Sequence, residues 1–299
     1  MAPFSTVLTA SEAQEVLRKK ALGALGELPP FSPILTRVLA SLAGNDVSFA
    51  ALSDLIEKDA VLAGNLLHLV NSALYGRRGT INSVRHSMSI LGMDKLRNAI
   101  LGMSISRMWN STRMPSSWSM ARFNLHSAAT ATLSDMLAQR LPVTYPEGAF
   151  VAGLLHDVGR LLIALGLNDQ HDRIQRLSEK GELAPVDCER EVLGFTHPEL
   201  SGEALGYWSL PDPIQTAVRF HHDPDGDDSK AKPGEIRLSR ILDAANQYVN
   251  SIGVSILPVA NPRESDASLI ESLGLEPERL ERALAEFKAE FDTMSQFFR

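Results

Sequence analysis

The chain has 299 residues, 44% of them hydrophobic and 22% charged, a composition that buries a sizeable core and excludes disordered and fibrous classes. Twenty-nine basic residues against thirty-six acidic ones leave a net charge of -7, a field that repels nucleic acid and anionic membrane. Cys188 is the single cysteine, so an internal disulfide and a cysteine-rich zinc site are excluded, and any metal would fall to the eight histidines and the carboxylates.

In chain order, residues 1–10 carry no basic residue ahead of an apolar run, so no secretory signal is read and a cytoplasmic location is expected. Helical periodicity then recurs almost without break, and no alternating stretch bounded by hairpin turns is found, which predicts an all-α fold. Short helices are expected at 10–26, after Pro33, after Ser48, at 60–73, at 83–91 and on to Met108, punctuated by Pro29-Pro30, Gly76, Gly79 and Gly92. The turn-forming segment 110–117 marks a joint. Longer helices follow at 118–140, 146–165, 169–180, 186–193, 198–207, 211–222, 235–251 and 277–297.

This divides the chain into an N-terminal helix (1–24), a helical part (25–112), a second helical part (113–255) and a C-terminal extension (256–299). The most membrane-like stretch, 149–167, is interrupted by His156, Asp157 and Arg160 and falls short of the roughly 18 apolar residues a span requires, so no membrane association is expected. Asp223 to Asp228 suggests a calcium loop, but Asp228 and Gly234 stand where an EF-hand needs glycine and glutamate, which leaves a solvated acidic turn. Trp109, Trp118 and Trp208 are too far apart in sequence to predict a stacked row.

The chemistry concentrates in the second half. His156 and Asp157 interrupt an apolar helix, where two polar groups cost a few kcal/mol in desolvation unless they bind something. By contrast, His171-Asp172 lies in a polar stretch and needs no partner. His126 shares the inward stripe of its helix with Ala129, Leu133, Met136 and Leu137, so it should be buried. His221 and His222 are adjacent at a helix end, His197 precedes Pro198 near a helix start, and Asp243 sits one step off the stripe Leu238, Leu242, Ala245, Val249. Nitrogen and carboxylate donors suit iron, manganese, zinc or nickel, and a bridging carboxylate lets two cations sit about 3.5 to 4 Å apart.

The order His, His-Asp, His, His-His, Asp resembles the HD superfamily of metal-dependent phosphohydrolases and is similar to the ligand set of its HD-GYP phosphodiesterases, over about 122–245. By that resemblance His126, His156, Asp157 and Asp243 would hold one metal ion, His197, His221 and His222 would hold a second, and Asp157 would bridge them. More of the chain, roughly 25–245, resembles the HDOD domain, the HD-related output domain of bacterial signalling proteins. That resemblance rests on Leu28-Pro29-Pro30-Phe31, on Lys58 to Leu62, on the block Asn71 to Gly76 and on the block Ser87 to Gly92. It implies an HD-type helical bundle preceded by a smaller N-terminal helical subdomain.

The Gly-Tyr-Pro signature expected after the paired histidines is missing, and Arg160 stands where the HD-GYP pattern has lysine. The leading expectation is therefore a regulatory HDOD protein with one or two divalent transition metal ions and a signalling protein partner or a phosphorylated small molecule or nucleotide. The alternative is a metal-dependent phosphohydrolase or cyclic nucleotide phosphodiesterase, in which Asp157 and Arg160 are catalytic and Arg160 holds a phosphate oxygen. The second alternative is a metal-free helical adaptor. Arg77, Arg78 and Arg85 motivate a nucleic-acid reading, which the net charge opposes.

Overall fold

Six helix starts are written in the sequence as side-chain oxygens placed three residues before a free backbone N–H. Thr9, Ser32, Ser48, Asp59, Ser83 and Ser119 each accept from such an N–H, satisfying one of the donors a helix start leaves open. They set the first residues of α1 (Ala10–Gly23), α2 (Pro33–Ser41), α3 (Phe49–Glu57), α4 (Ala60–Val70), α5 (Val84–Asn110) and α6 (Met120–Ala138). The computed structural model describes residues 9–42, 48–72, 80–257 and 266–298. Arg77, Arg78 and the end of the Asn71–Gly76 block lie outside the described residues.

Among the described residues there is no strand, only an isolated bridge between Val143 and Ile236, and the protein is all-α. The remaining helices are α7 (Ala149–Leu155), α8 (Val158–Gly166), α9 (Asn168–Ser178), α10 (Pro185–Leu193), α11 (His197–Tyr207), α12 (Asp212–Arg219), α13 (Leu238–Ser251), α14 (Ser268–Ser272) and α15 (Pro277–Met294). Gly92 interrupts α5 with a φ of 74°, a conformation that costs a residue without a Cβ little. Asn71 exchanges two 2.8 Å bonds with the backbone of Ile81, tying α4 to the chain that leads into α5.

One apolar core runs from Ala24 to Phe298, and its spine is the pair α5 and α6, buried on nearly every face from Leu96 to Trp109 and from Phe123 to Ala138. A helix that is small or apolar all round is one that other helices surround. The joint at 110–117 is thus a surface turn between two helices that share a core. Phe31, Trp208, Trp109, Phe123, Trp118 and His171 form a continuous ring chain at 5.1, 6.3, 6.2, 5.3 and 5.7 Å. The three tryptophans therefore do come together, because sequence distance says nothing about neighbours across a helix bundle. α15 packs on α6, and beyond it Phe297 meets His68 of α4 at 5.5 Å, so the C-terminal segment closes back onto the N-terminal half.

The stretch 146–166 passes a length-and-hydropathy test for a membrane span, yet nearly all of it is buried among the other helices. It is also not one helix, since α7 ends at Leu155 and α8 begins at Val158. The acidic turn is not wholly solvated: Asp227 is buried, accepting from Ser239 Oγ at 2.6 Å and Ser229 N at 2.9 Å, and so fastens the turn to the start of α13. Arg85 faces Asp54 and Glu57 at 3.5 and 3.6 Å, so its charge is already answered.

Asp135 of α6 is pushed up to about 6, chiefly by burial, with Asn98 opposing and Glu290 adding to the rise. It holds its proton more tightly folded than unfolded, so its contribution to stability is greatest below pH 3.8 and is lost as pH rises through about 6. Asp135→Asn keeps an oxygen for Gln139, which donates to Asp135 at 2.6 Å. The variant is expected to exceed the parent in stability near neutral pH by up to about 3 kcal/mol and to match it in acid. Urea unfolding at both pH values measures this, and an equal shift at both would remove titration as the cause.

Candidate metal centre

The break between α7 and α8 makes the site. Asp157 has φ -100° and ψ 12°, which halts the helix and turns His156 and Asp157 toward the same interior point. The break is compact because Gly159, at the start of α8, lies against the start of α11: a Cβ there would stand 2.2 Å from the His197 carbonyl oxygen. Its N–H also donates to Ser201 Oγ at 2.8 Å. The predicted helix 211–222 ends earlier, at Arg219, which leaves His221 and His222 in a turn with ring centroids 4.2 Å apart.

Six of the seven predicted ligands come together. His126 Nε2 and His156 Nε2 lie 3.2 Å apart, and Asp157 Oδ2 is 3.4 and 3.3 Å from them. On its other side, Asp157 Oδ1 is 2.8 Å from His197 Nε2 and 3.9 Å from His221 Nε2, with those two nitrogens 3.4 Å apart. His222 completes this second group: one donor atom each of His197, His221 and His222 lie within 4.8 Å of one another, as do those of His126, His156 and Asp157.

Proton placement follows from the outer nitrogens. Nδ1 of His126, His156 and His221 lies 2.8, 2.8 and 2.6 Å from the carbonyl oxygens of Val254, Gly153 and Val218. A carbonyl only accepts, so each Nδ1 carries a proton, and a ring with that single proton turns a lone pair inward from Nε2. At the first group two such lone pairs and a carboxylate oxygen face one point, an arrangement that repels unless a cation lies between them. Burial disfavours a proton in that role: it holds His156 below the ordinary imidazole range despite Asp157 beside it. Burial also keeps His221 and His222 well below that range, with neighbouring imidazoles adding to the effect. Burial pushes Asp157 up, but His156, Arg160 and His197 outweigh it and hold the carboxyl well below its usual range. Burial and Arg160 lower His197 too, but Glu189 and Asp157 outweigh them and hold it above the ordinary range. The donors thus include a carboxylate and, at His156, His221 and His222, imidazoles kept toward the neutral form that divalent metals require, while His197 would give up a proton on binding.

Asp243 is not brought to this cluster. Its Oδ1 accepts from Gln247 Nε2 at 2.7 Å, and its charged neighbours are Arg240 and Asp225. The reason is helical phase: α13 buries Leu238, Ile241, Leu242, Ala245 and Val249, which turns residue 243 to the helix edge. Asn246, about one turn on and almost fully buried, is one of the α13 residues that line the cleft with His126.

Arg160 is buried as a strut. Its Nε donates to Asp157 Oδ1 at 3.2 Å and its Nη1 faces Glu189 Oε1 at 3.0 Å, leaving Nη2 as the nitrogen not paired with a carboxylate. Glu189 escaped the sequence reading, although it shares the inward face of α10 with Cys188, Val192 and Leu193. His171 is buried against Trp118, 3.5 Å from Asp172 Oδ1, beside a small gap lined by Arg160 and Glu189. The sequence placed it in a polar stretch needing no partner; the fold tucks that side of α9 inward.

A cleft of about 640 Å³ opens over His126, Asp157, Arg160 and His222. Further out it is lined by Asn246, Gln247 and Asn250 of α13 and by Leu183, Pro185 and Val186 around the start of α10.

The HDOD domain family model matches residues 28–224. The crystal structure of an HDOD domain protein of unknown function from Geobacter sulfurreducens is similar with a TM-score of 0.75, at 23% identity over 95% of this chain and 99% of that one. A protein from Shewanella amazonensis SB2B, provisionally named a phosphohydrolase, is similar with a TM-score of 0.71, at 22% identity over 94% and 98% of the two chains. At these identities the likeness concerns the fold. An uncharacterized protein of Treponema pallidum (strain Nichols) is 22% identical over 203 residues, which are 66% of this chain and 38% of that protein's length.

Proposed function

This chain belongs to the HDOD domain family, and from that footing we propose that it is a signal-transduction protein built around a centre for two divalent transition metal ions, iron, manganese, zinc or nickel. The observation that carries the reading is the convergence of inward-facing Nε2 atoms on the two oxygens of one buried carboxylate, Asp157. His126, His156 and Asp157 would hold one ion, and Asp157, His197, His221 and His222 the other. With Asp243 turned away, the first site has three donors against four at the second and is the weaker of the two. Purified full-length chain is expected to carry two metal equivalents, and His156→Ala one. Equal and negligible metal in both would sink the centre.

A second reading, a metal-dependent phosphohydrolase, is favoured by the cleft, which gives a ligand access to Asp157, Arg160 and His222. Bound cations would neutralise charge developing on phosphoryl oxygens. The chain's own part would be to seat the phosphate, with Asp157 locked by Arg160, which lines the cleft. Turnover of nucleotides, cyclic dinucleotides and a generic phosphodiester with each added metal separates the readings. Turnover would put the hydrolase first; a metal-loaded protein inert toward all of them leaves the cleft to a signalling partner or to a phosphorylated molecule that is bound and not cleaved.

A further inference from the structure

The His197 ring lies between two carboxylates. On one side Nδ1 is 2.6 Å from Glu189 Oε2, and on the other Nε2 is 2.8 Å from Asp157 Oδ1. In the form that can bind a cation the ring carries one proton, and the two carboxylates compete for it. If it went to Nε2, the ring would donate to Asp157, and both atoms would be unavailable to a cation. If it sits on Nδ1, the Nε2 lone pair faces the point shared with His221 and His222.

Glu189 is built to win this competition. Its Oε2 accepts both the ring Nδ1–H and the backbone N–H of His197, the latter at 2.7 Å, so the oxygen is fixed to the frame that carries the ring. Its other oxygen faces Arg160 Nη1, and the same guanidinium takes a proton-accepting position of Asp157 through Nε. Asp157 Oδ1 is thus already engaged by Arg160, while Glu189 Oε2 is reserved for His197. All four residues are buried, with side-chain exposures of 13% or less, so water competes little for these bonds. Behind His126, His156 and His221 stand carbonyl oxygens, which leave no such choice.

We propose that Glu189 is a positioning residue that holds the His197 proton on Nδ1 and thereby delivers Nε2 to the second metal ion, acting through His197 and touching neither ion nor substrate. The proposal rests on the two-metal reading above. In it Arg160 is the charge that spaces Glu189 from Asp157. A carboxylate behind a metal-binding histidine fixes its tautomer and orientation, and losing such a partner weakens metal binding by about 10- to 100-fold.

The test uses metal-free full-length chain titrated with Mn2+, and long-range 15N–1H NMR of the histidine rings, with the His197 signals assigned by their loss in His197→Gln. The parent is expected to show a His197 Nδ1–H and to take up two Mn2+. Glu189→Ala should move that proton to Nε2 and weaken one of the two ions by about 10- to 100-fold, leaving the ion at His126 and His156 unchanged, which also reports that the variant is folded. Glu189→Gln has the same shape and one accepting oxygen, and should restore part of both signals. If Glu189→Ala keeps the Nδ1–H tautomer, or binds both ions as the parent does, the proposal is overturned. If the parent takes up no Mn2+, the two-metal reading fails, and the ring-proton shift alone decides whether Glu189 positions His197.

Discussion

Asp157→Ala is expected to empty both metal sites at once, lowering metal content from two equivalents to none. No other side chain belongs to both groups: Oδ2 faces His126 and His156, and Oδ1 faces His197 and His221. Each site would lose its only carboxylate and be left with neutral imidazoles, which hold divalent ions poorly at a low-dielectric position because the ionic charge goes uncompensated. The apoprotein suffers as well, since removing one partner of a buried ion pair costs about 3–5 kcal/mol, here reduced because Glu189 still faces Arg160. Asp157→Asn separates the effects. It keeps the volume and one accepting oxygen, so it should hold at most one ion and melt close to the parent. Elemental analysis of chelator-stripped and reloaded protein, with melting curves with and without metal, measures both. Retention of two ions by Asp157→Ala would remove Asp157 from the bridge.

Gly159→Ala is expected to be among the most destabilising single-methyl changes in the chain, by at least about 3 kcal/mol, because the added carbon meets unyielding backbone. The new Cβ would lie 2.2 Å from the His197 carbonyl oxygen and 2.9 Å from Ser201 Oγ, so α8 and α11 must separate. That movement carries His197 away from Asp157 and breaks the Gly159 N–H bond to Ser201. The variant should therefore lose the second ion before the first. Denaturant unfolding together with metal titration checks the pair of effects; a variant as stable as the parent with both ions bound would show that the helices have slack at this contact.

The family resemblance, the helical class and most helix starts were legible from the chain alone. Ser, Thr and Asp caps and a helical apolar period are local signals, and local signals fix element type and starting residue. His126, His156 and Asp157 stood out too, because polar residues in apolar helix settings are costly and so conspicuous, whereas His197, His221 and His222 were marked by their places at helix ends. Helix ends were less so: the break at His156-Asp157 and the early end of α12 at Arg219 come from packing and from the site, and periodicity runs straight through both.

The sequence by itself determined the chemistry available to this protein. A single cysteine pushed any metal onto histidine and carboxylates, and the order of those residues along the helices set the family resemblance. Only the tertiary structure decided which of them meet. Asp243 and Asn246 are one turn apart on α13, and a rotation set by Leu242, Ala245 and Val249 turns the amide inward and the carboxylate to the edge. Glu189 and Arg160 are far apart in sequence and become one buried unit because α8 and α10 share a core with α11. Likewise, which nitrogen of each ring faces the centre depends on the group standing behind it, and that group comes from another part of the fold at His126 and His197.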